Sequence, residues 1–123
     1  MAAVRYLVDD VDKAVAFYTT KLEFIVAERW GKAFAMVSRG DVTLWLSGPE
    51  SSAARPMLDG RKPGPGGWNR VVLEVTDLES RVSAMKREGV TFRNEIVQGP
   101  GGKQILAEDG CGNVVELFEP AGD

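Results

Sequence analysis

Val4-Arg5-Tyr6-Leu7-Val8-Asp9-Asp10-Val11-Asp12 returns 67 positions later as Val71-Val72-Leu73-Glu74-Val75-Thr76-Asp77-Leu78-Glu79. Each stretch passes from a strand-like segment into a helical period. After Asp10 the apolar positions are Val11, Val15, Tyr18 and Leu22; after Asp77 they are Leu78, Val82 and Met85, with Gly89 in the fourth place. Spacings of four, three and four line one face of a helix. Asp10 and Asp77 are natural N-caps, Asp12 and Glu79 put negative charge in the first turn where the helix dipole favours it, and Gly89 predicts the end of the second helix.

Working outward, each helix is followed by three strand candidates. In the first half these are 24–28, 33–38 and 42–47, broken at Trp30-Gly31 and Gly40-Asp41; in the second they are 91–97, 104–108 and 113–119, broken at 99–102 and 109–112. The unit is strand, helix, strand, strand, strand, used twice. We therefore expect one domain over residues 1–123: repeat one at 1–47, a linker at 48–67 and repeat two at 68–123. The predicted class is α+β, with tandem βαβββ repeats forming an open, concave mixed sheet and the helices on its outer face. In the linker, Gly, Pro and Ser fill 11 of 20 places, so it will not hold regular structure. It reads either as a lid over a pocket or as a plain connection.

Composition removes whole reaction classes. The chain of 123 residues is 44% hydrophobic and 27% charged, as globular domains are. It contains no histidine, so Ser-His-Asp triads, Cys-His pairs and imidazole metal ligands are excluded. A net charge of -3 argues against a nucleic-acid partner. No apolar run approaches the roughly 20 residues of a membrane span, and the N-terminal residues lack signal-peptide features. The single cysteine, Cys111, cannot form an internal disulfide and has no nearby base, so we read it as incidental. A cytoplasmic protein without membrane association is expected.

The segments 4–18 and 71–85, with the closing Asp109-Gly110-Cys111-Gly112-Asn113-Val114-Val115-Glu116-Leu117, resemble the vicinal oxygen chelate superfamily. That group contains glyoxalase I, extradiol dioxygenases, fosfomycin-resistance enzymes and bleomycin-binding proteins. The resemblance implies one divalent metal held by side chains of the first, fourth, fifth and eighth strands. Counting from the caps and from the Gly-Asp and Gly-Asn turns puts those seats at Ala3, Leu44, Arg70 and Glu116, of which Glu116 alone carries a ligating oxygen. Neither metal nor cofactor is expected.

Strand alternation then says what fills the space. With Val4, Tyr6 and Val8 toward the helix, Arg5 and Leu7 face the cavity; by the same rule Leu44 and Leu46, Arg70 and Glu74, and Glu116 and Phe118 line it. Arg70 and Glu116 are predicted to pair, the guanidinium standing where relatives hold the metal. That pair reads either as a closure of the sheet or as part of a site in which Arg70 or Arg5 offers N–H donors to a ligand. Trp30 and Trp68, beside glycines, are candidates for the rim, where a flat ring stacks on a flat ligand. Phe34 joins the pocket wall or the core, as does Met36. Parity sets Trp45 opposite Leu44, and hence against a helix or a partner subunit.

Two classes of function follow. The first is a metal-free small-molecule binding protein, sequestering a planar or amphipathic drug or natural product in the crevice of a homodimer, with antibiotic self-resistance as its role. Its ligand-binding residues would be Arg5, Leu7, Trp30, Phe34, Leu44, Leu46, Trp68, Arg70, Glu116 and Phe118. The second is an enzyme, a glyoxalase-like lyase, isomerase or dioxygenase-like protein. It would use a non-standard metal site on Glu74 and Glu116, or one of these glutamates as general base.

Overall fold

The computed structural model describes residues 2–122. Asp10 sits in extended backbone and its carboxylate accepts from the Lys13 N–H at 3.1 Å, starting α1 (Val11–Lys21). Asp77 caps α2 (Leu78–Arg87) from a left-handed conformation, φ +51°, accepting from the Ser80 N–H at a long 3.4 Å. A second carboxylate, Glu119, accepts from the Leu78 N–H at 2.7 Å and completes that start. Gly89, at φ +89°, follows the end of α2 in the conformation glycine adopts without steric cost.

The strands are β1 (Val4–Leu7), β2 (Ile25–Trp30), β3 (Phe34–Arg39), β4 (Val42–Ser47), β5 (Val72–Glu74), β6 (Val97–Gly99), β7 (Gly102–Glu108) and β8 (Val114–Pro120). They form two four-stranded mixed sheets ordered β1-β4-β3-β2 and β5-β8-β7-β6. Within each, the first strand runs parallel to the last, and the remaining pairs are antiparallel. The tandem βαβββ class expected from the sequence is what the structure has. The strand expected over 91–97 is mostly irregular, with regular pairing reached at Val97. Before it, Phe92 makes an isolated bridge to Ala107, and the Asn94 side chain accepts from the Leu106 N–H at 3.0 Å where a ladder carbonyl would stand. Asn94 and Glu95 are poor strand formers, and the Asn94 side-chain oxygen takes up the Leu106 amide in place of a ladder carbonyl.

Residue contacts divide the chain into two units. One runs through Gly66 and includes Gly110–Asn113; the other comprises Gly67–Asp109 and the chain from Val114 onward. In the first, Asn113 acts as a clamp: its Nδ2 donates to the Leu7 carbonyl at 2.7 Å and its Oδ1 accepts from the Gly66 N–H at 3.0 Å. Cys111 is buried beside it, its thiol donating to the Asp10 carbonyl at 3.7 Å. The cysteine is thus a packed structural residue.

Each unit buries one face of its sheet under its helix. In the first, Tyr6, Val8, Ala35, Val37, Leu44 and Leu46 meet the buried stripe Val11, Ala14, Val15 and Tyr18. Tyr18 anchors the cluster with edge-on ring contacts to Tyr6, Phe17 and Phe24. In the second, Leu73, Val75, Ile105, Ala107, Val115 and Leu117 meet Leu78, Val82 and Met85. Among the described residues no helix is long and apolar enough to cross a membrane.

Register corrects the sequence reading of β4. Parallel pairing sets Arg5 beside Trp45 and Tyr6 beside Leu46, so Trp45 shares the open face with Arg5, while Leu44 and Leu46, both fully buried, belong to the helix-facing core. Counting from the glycine turns misplaces the faces of β4 because the two turns are not equivalent. Gly40-Asp41 is a two-residue hairpin turn closed by Arg39 and Val42, whereas 109–113 is a five-residue connection closed by Glu108 and Val114. With a period of two, a slip of one residue exchanges the faces. In the second unit Val72 pairs with Glu116 and Glu74 with Phe118, as the alternation predicts.

Candidate functional site

The open face of the first sheet concentrates its aromatic residues. Phe34 and Met36 of β3, Trp45 of β4 and Arg5 of β1 share that face, and Trp30 stands at the end of β2 opposite Phe34. Trp30 and Phe34 have ring centroids 5.3 Å apart, and Phe34 meets Trp45 edge-on at 5.9 Å. The Arg5 guanidinium lies 5.0 Å from the Trp45 ring and 6.0 Å from that of Phe34. Its Nη1 donates to the hydroxyl of the fully buried Ser47 at 3.0 Å. A flat cation on flat rings keeps its N–H edges available while its faces are covered.

These residues wall a cavity of about 440 Å³, completed by Ala33 and by Glu50, Ser51 and Ser52 from the start of the glycine- and proline-rich segment. That segment leaves β4 at Gly48, whose N–H donates to the Ala33 carbonyl at 2.9 Å. A Cβ on Gly48 would stand 2.7 Å from Val11, so glycine alone lets the chain turn this close to α1. The Ser51 hydroxyl donates back to the Gly48 carbonyl at 2.7 Å, and a single 3-10 turn, Ser52–Ala54, follows. Farther along, Met57 and Leu58 are exposed. The Trp45 indole N–H is buried and has no acceptor among the described residues.

Of the sequence candidates, the structure brings Arg5, Trp30 and Phe34 together on this cavity. Leu7 has Arg5's parity and pairs with Ser47, but is not part of the wall. Leu44 and Leu46 lie in the core. Trp45 and Met36 complete the pocket; strand alternation alone puts the first on the other face and does not decide the second. The signal that places both is the cross-strand pairing of Met36 with Trp45 and of Trp45 with Arg5.

The second unit treats its cations differently. Arg70 donates to Glu116 Oε1 through Nε at 3.1 Å and Nη2 at 2.8 Å, and through Nη1 to the Trp68 carbonyl at 3.0 Å. The predicted pairing is present, and Glu116 is only 6% exposed. Arg93 stacks 4.5 Å from the exposed Trp68 ring while donating to Glu108 at 2.7 Å and to the Gly67 carbonyl at 3.0 Å. Glu74 is exposed and Phe118 partly so, on the face of Glu116.

The residues present do not fit the divalent metal that the fold implies. By pairing register the β4 position equivalent to Glu116 is Trp45, because Val72 pairs with Glu116 as Arg5 pairs with Trp45. The donor set is then Ala3, Trp45, Arg70 and Glu116, and an indole N–H is a donor without a lone pair to give. Among the described residues no three His, Cys, Asp or Glu side chains converge as a metal cluster would require.

Two βαβββ units, each with a parallel closing pair, are the architecture of the glyoxalase/bleomycin resistance fold. The chain belongs to the Glyoxalase/Bleomycin resistance protein/Dioxygenase superfamily, whose sequence model matches residues 1–117. It is 28% identical over 119 residues to the uncharacterized protein YurT of Bacillus subtilis (strain 168), covering 91% of this chain and 92% of YurT. Its fold matches lactoylglutathione lyase from Agrobacterium tumefaciens with a TM-score of 0.72 at 18% identity, covering 97% of this chain and 92% of the lyase. It matches TnmS3, an antibiotic binding protein from Streptomyces sp. CB03234, with a TM-score of 0.71 at 22% identity, covering 98% and 97% of the two chains. One fold thus carries a lyase and a binding protein, and the site has to discriminate between them.

Proposed function

We propose that this protein captures a planar or amphipathic small molecule, a drug or natural product, without metal and without transforming it. The observation that carries this reading is the aromatic cavity of about 440 Å³ floored by Trp30, Phe34 and Trp45 with Arg5 beside them. Its apolar walls reward burial at about 25 cal/mol per Å², and the aromatic rings lose little conformational freedom on binding. Of the two glutamates that a proton-abstracting reaction would call on, Glu116 is already held by Arg70, and Glu74 is exposed and not part of the cavity wall. The fold shared with TnmS3, which binds an antibiotic, agrees with this reading. Protection of a cell from a toxic compound is the role such capture serves, with a homodimer in the cytoplasm as the working form and its crevice as the seat of the ligand.

Titrating the protein's tryptophan fluorescence against a panel of planar antibiotics tests the proposal. Saturable quenching at one ligand per subunit, with the ligand recovered unchanged and no stoichiometric divalent ion in the protein, is the expected outcome. A compound consumed over many turnovers, or a bound metal, would replace capture with catalysis.

A further inference from the structure

We infer that the first-unit pocket selects a flat aromatic monoanion, with Arg5 holding its carboxylate or equivalent anionic oxygen. This rests on the binding reading above and names its ligand class. Arg5 is exposed, lies against Trp45 and Phe34, and among the described residues makes one hydrogen bond, to Ser47. A guanidinium carries five N–H donors, so most of its donors have no acceptor among the described residues. No carboxylate among the described residues lies within ion-pair distance of it, whereas Arg29, Arg61, Arg70 and Arg93 each pair with one.

A second donor points the same way. The Trp45 indole N–H, on the ring against which Arg5 lies, is buried and lacks an acceptor among the described residues. A buried N–H without a partner is unfavourable, and a small rearrangement that exposes it to a ligand oxygen removes that cost. Two donors on an aromatic floor call for an oxygen acceptor on an aromatic body, and a charged acceptor makes the stronger bonds. Glu50, exposed on the same wall, limits the charge: a second anionic group would meet a like charge there. The ligand is therefore a monoanion rather than a dianion.

The test compares 2-naphthoate, 2-naphthamide and 2,6-naphthalenedicarboxylate by quenching of tryptophan fluorescence, with the wild-type protein and with Arg5→Gln and Arg5→Lys. The wild type should bind naphthoate about tenfold more tightly than naphthamide, and more tightly than the dicarboxylate. In Arg5→Gln that preference should vanish while naphthamide binding persists; Arg5→Lys should retain part of it. Because Arg5 is exposed, both variants should melt as the wild type does, which separates lost selectivity from lost fold. Equal affinity for naphthoate and naphthamide in the wild type, or a preference surviving Arg5→Gln, overturns the monoanion inference and leaves capture standing. Absence of binding by all three naphthalenes and by every planar compound overturns both.

Discussion

Arg5 and Arg70 hold corresponding faces of two sheets with the same strand order, and their surroundings are opposite. Arg5 lies on two aromatic rings with one neutral hydrogen-bond partner, while Arg70 donates from all three of its nitrogens, two of them to a carboxylate. The equivalent positions Trp45 and Glu116 explain the contrast. A tryptophan offers the cation a surface and leaves its donors free; a buried glutamate engages them. The helix-facing sides of the two units, in contrast, are alike. Duplication of a fold preserves what the core requires and frees the other face to diverge.

The largest expected effect tests the likeness. Leu46 and Leu117 are equivalent by register, and both are fully buried. Leu46→Ala and Leu117→Ala should each cost about 3 kcal/mol by urea denaturation, from lost burial and the cavity left behind. Costs that differ by more than about 2 kcal/mol would show that the two cores are not energetically equivalent.

The contrast itself is probed next. Arg70→Ala leaves the Glu116 carboxylate, 6% exposed, without its counter-ion and should cost about 2 kcal/mol, the low end for a buried pair because Arg70 is itself partly exposed. Combining it with Glu116→Gln should recover much of that loss. Arg5→Ala should cost no more than about 1 kcal/mol, the worth of an exposed cation on a ring. If Arg5→Ala destabilises as much as Arg70→Ala, Arg5 is a structural residue and the comparison fails.

The smallest effect concerns the two caps. Asp10 caps from extended backbone, so Asp10→Ala should lower stability by about 1 kcal/mol. Asp77 caps from the left-handed region, where a glycine relieves strain that offsets the lost hydrogen bond, so Asp77→Gly should change stability by less than about 0.5 kcal/mol. Thermal melts of the two variants side by side check the difference.

Much of this was legible in the residues. The helical stripes of 11–22 and 78–85, the aspartate caps and the alternation of 71–75 were readable because each is a local pattern whose physical cause lies within a turn or two of chain. The Arg70–Glu116 pair was readable through the family resemblance, which sets both residues at neighbouring ligand seats, where opposite charges meet. The pocket is half legible: the residue pattern points to Arg5, Trp30 and Phe34, but it puts Trp45 on the face opposite the one that the pairing with β1 gives it. Nothing local distinguishes the faces of Val42-Thr43-Leu44-Trp45-Leu46-Ser47, where apolar residues occupy both parities.

What the amino-acid sequence determined by itself was the repeat, its order of elements, and the absence of histidine, all of which are properties of residue type and spacing. Tertiary structure alone decided which side of β4 is the floor of a pocket, because that rests on parallel pairing with β1, in which Tyr6 meets Leu46, 40 residues later in the chain. A hydrogen-bond ladder between distant segments sets register, and register converts the same six residues into either a core or a site.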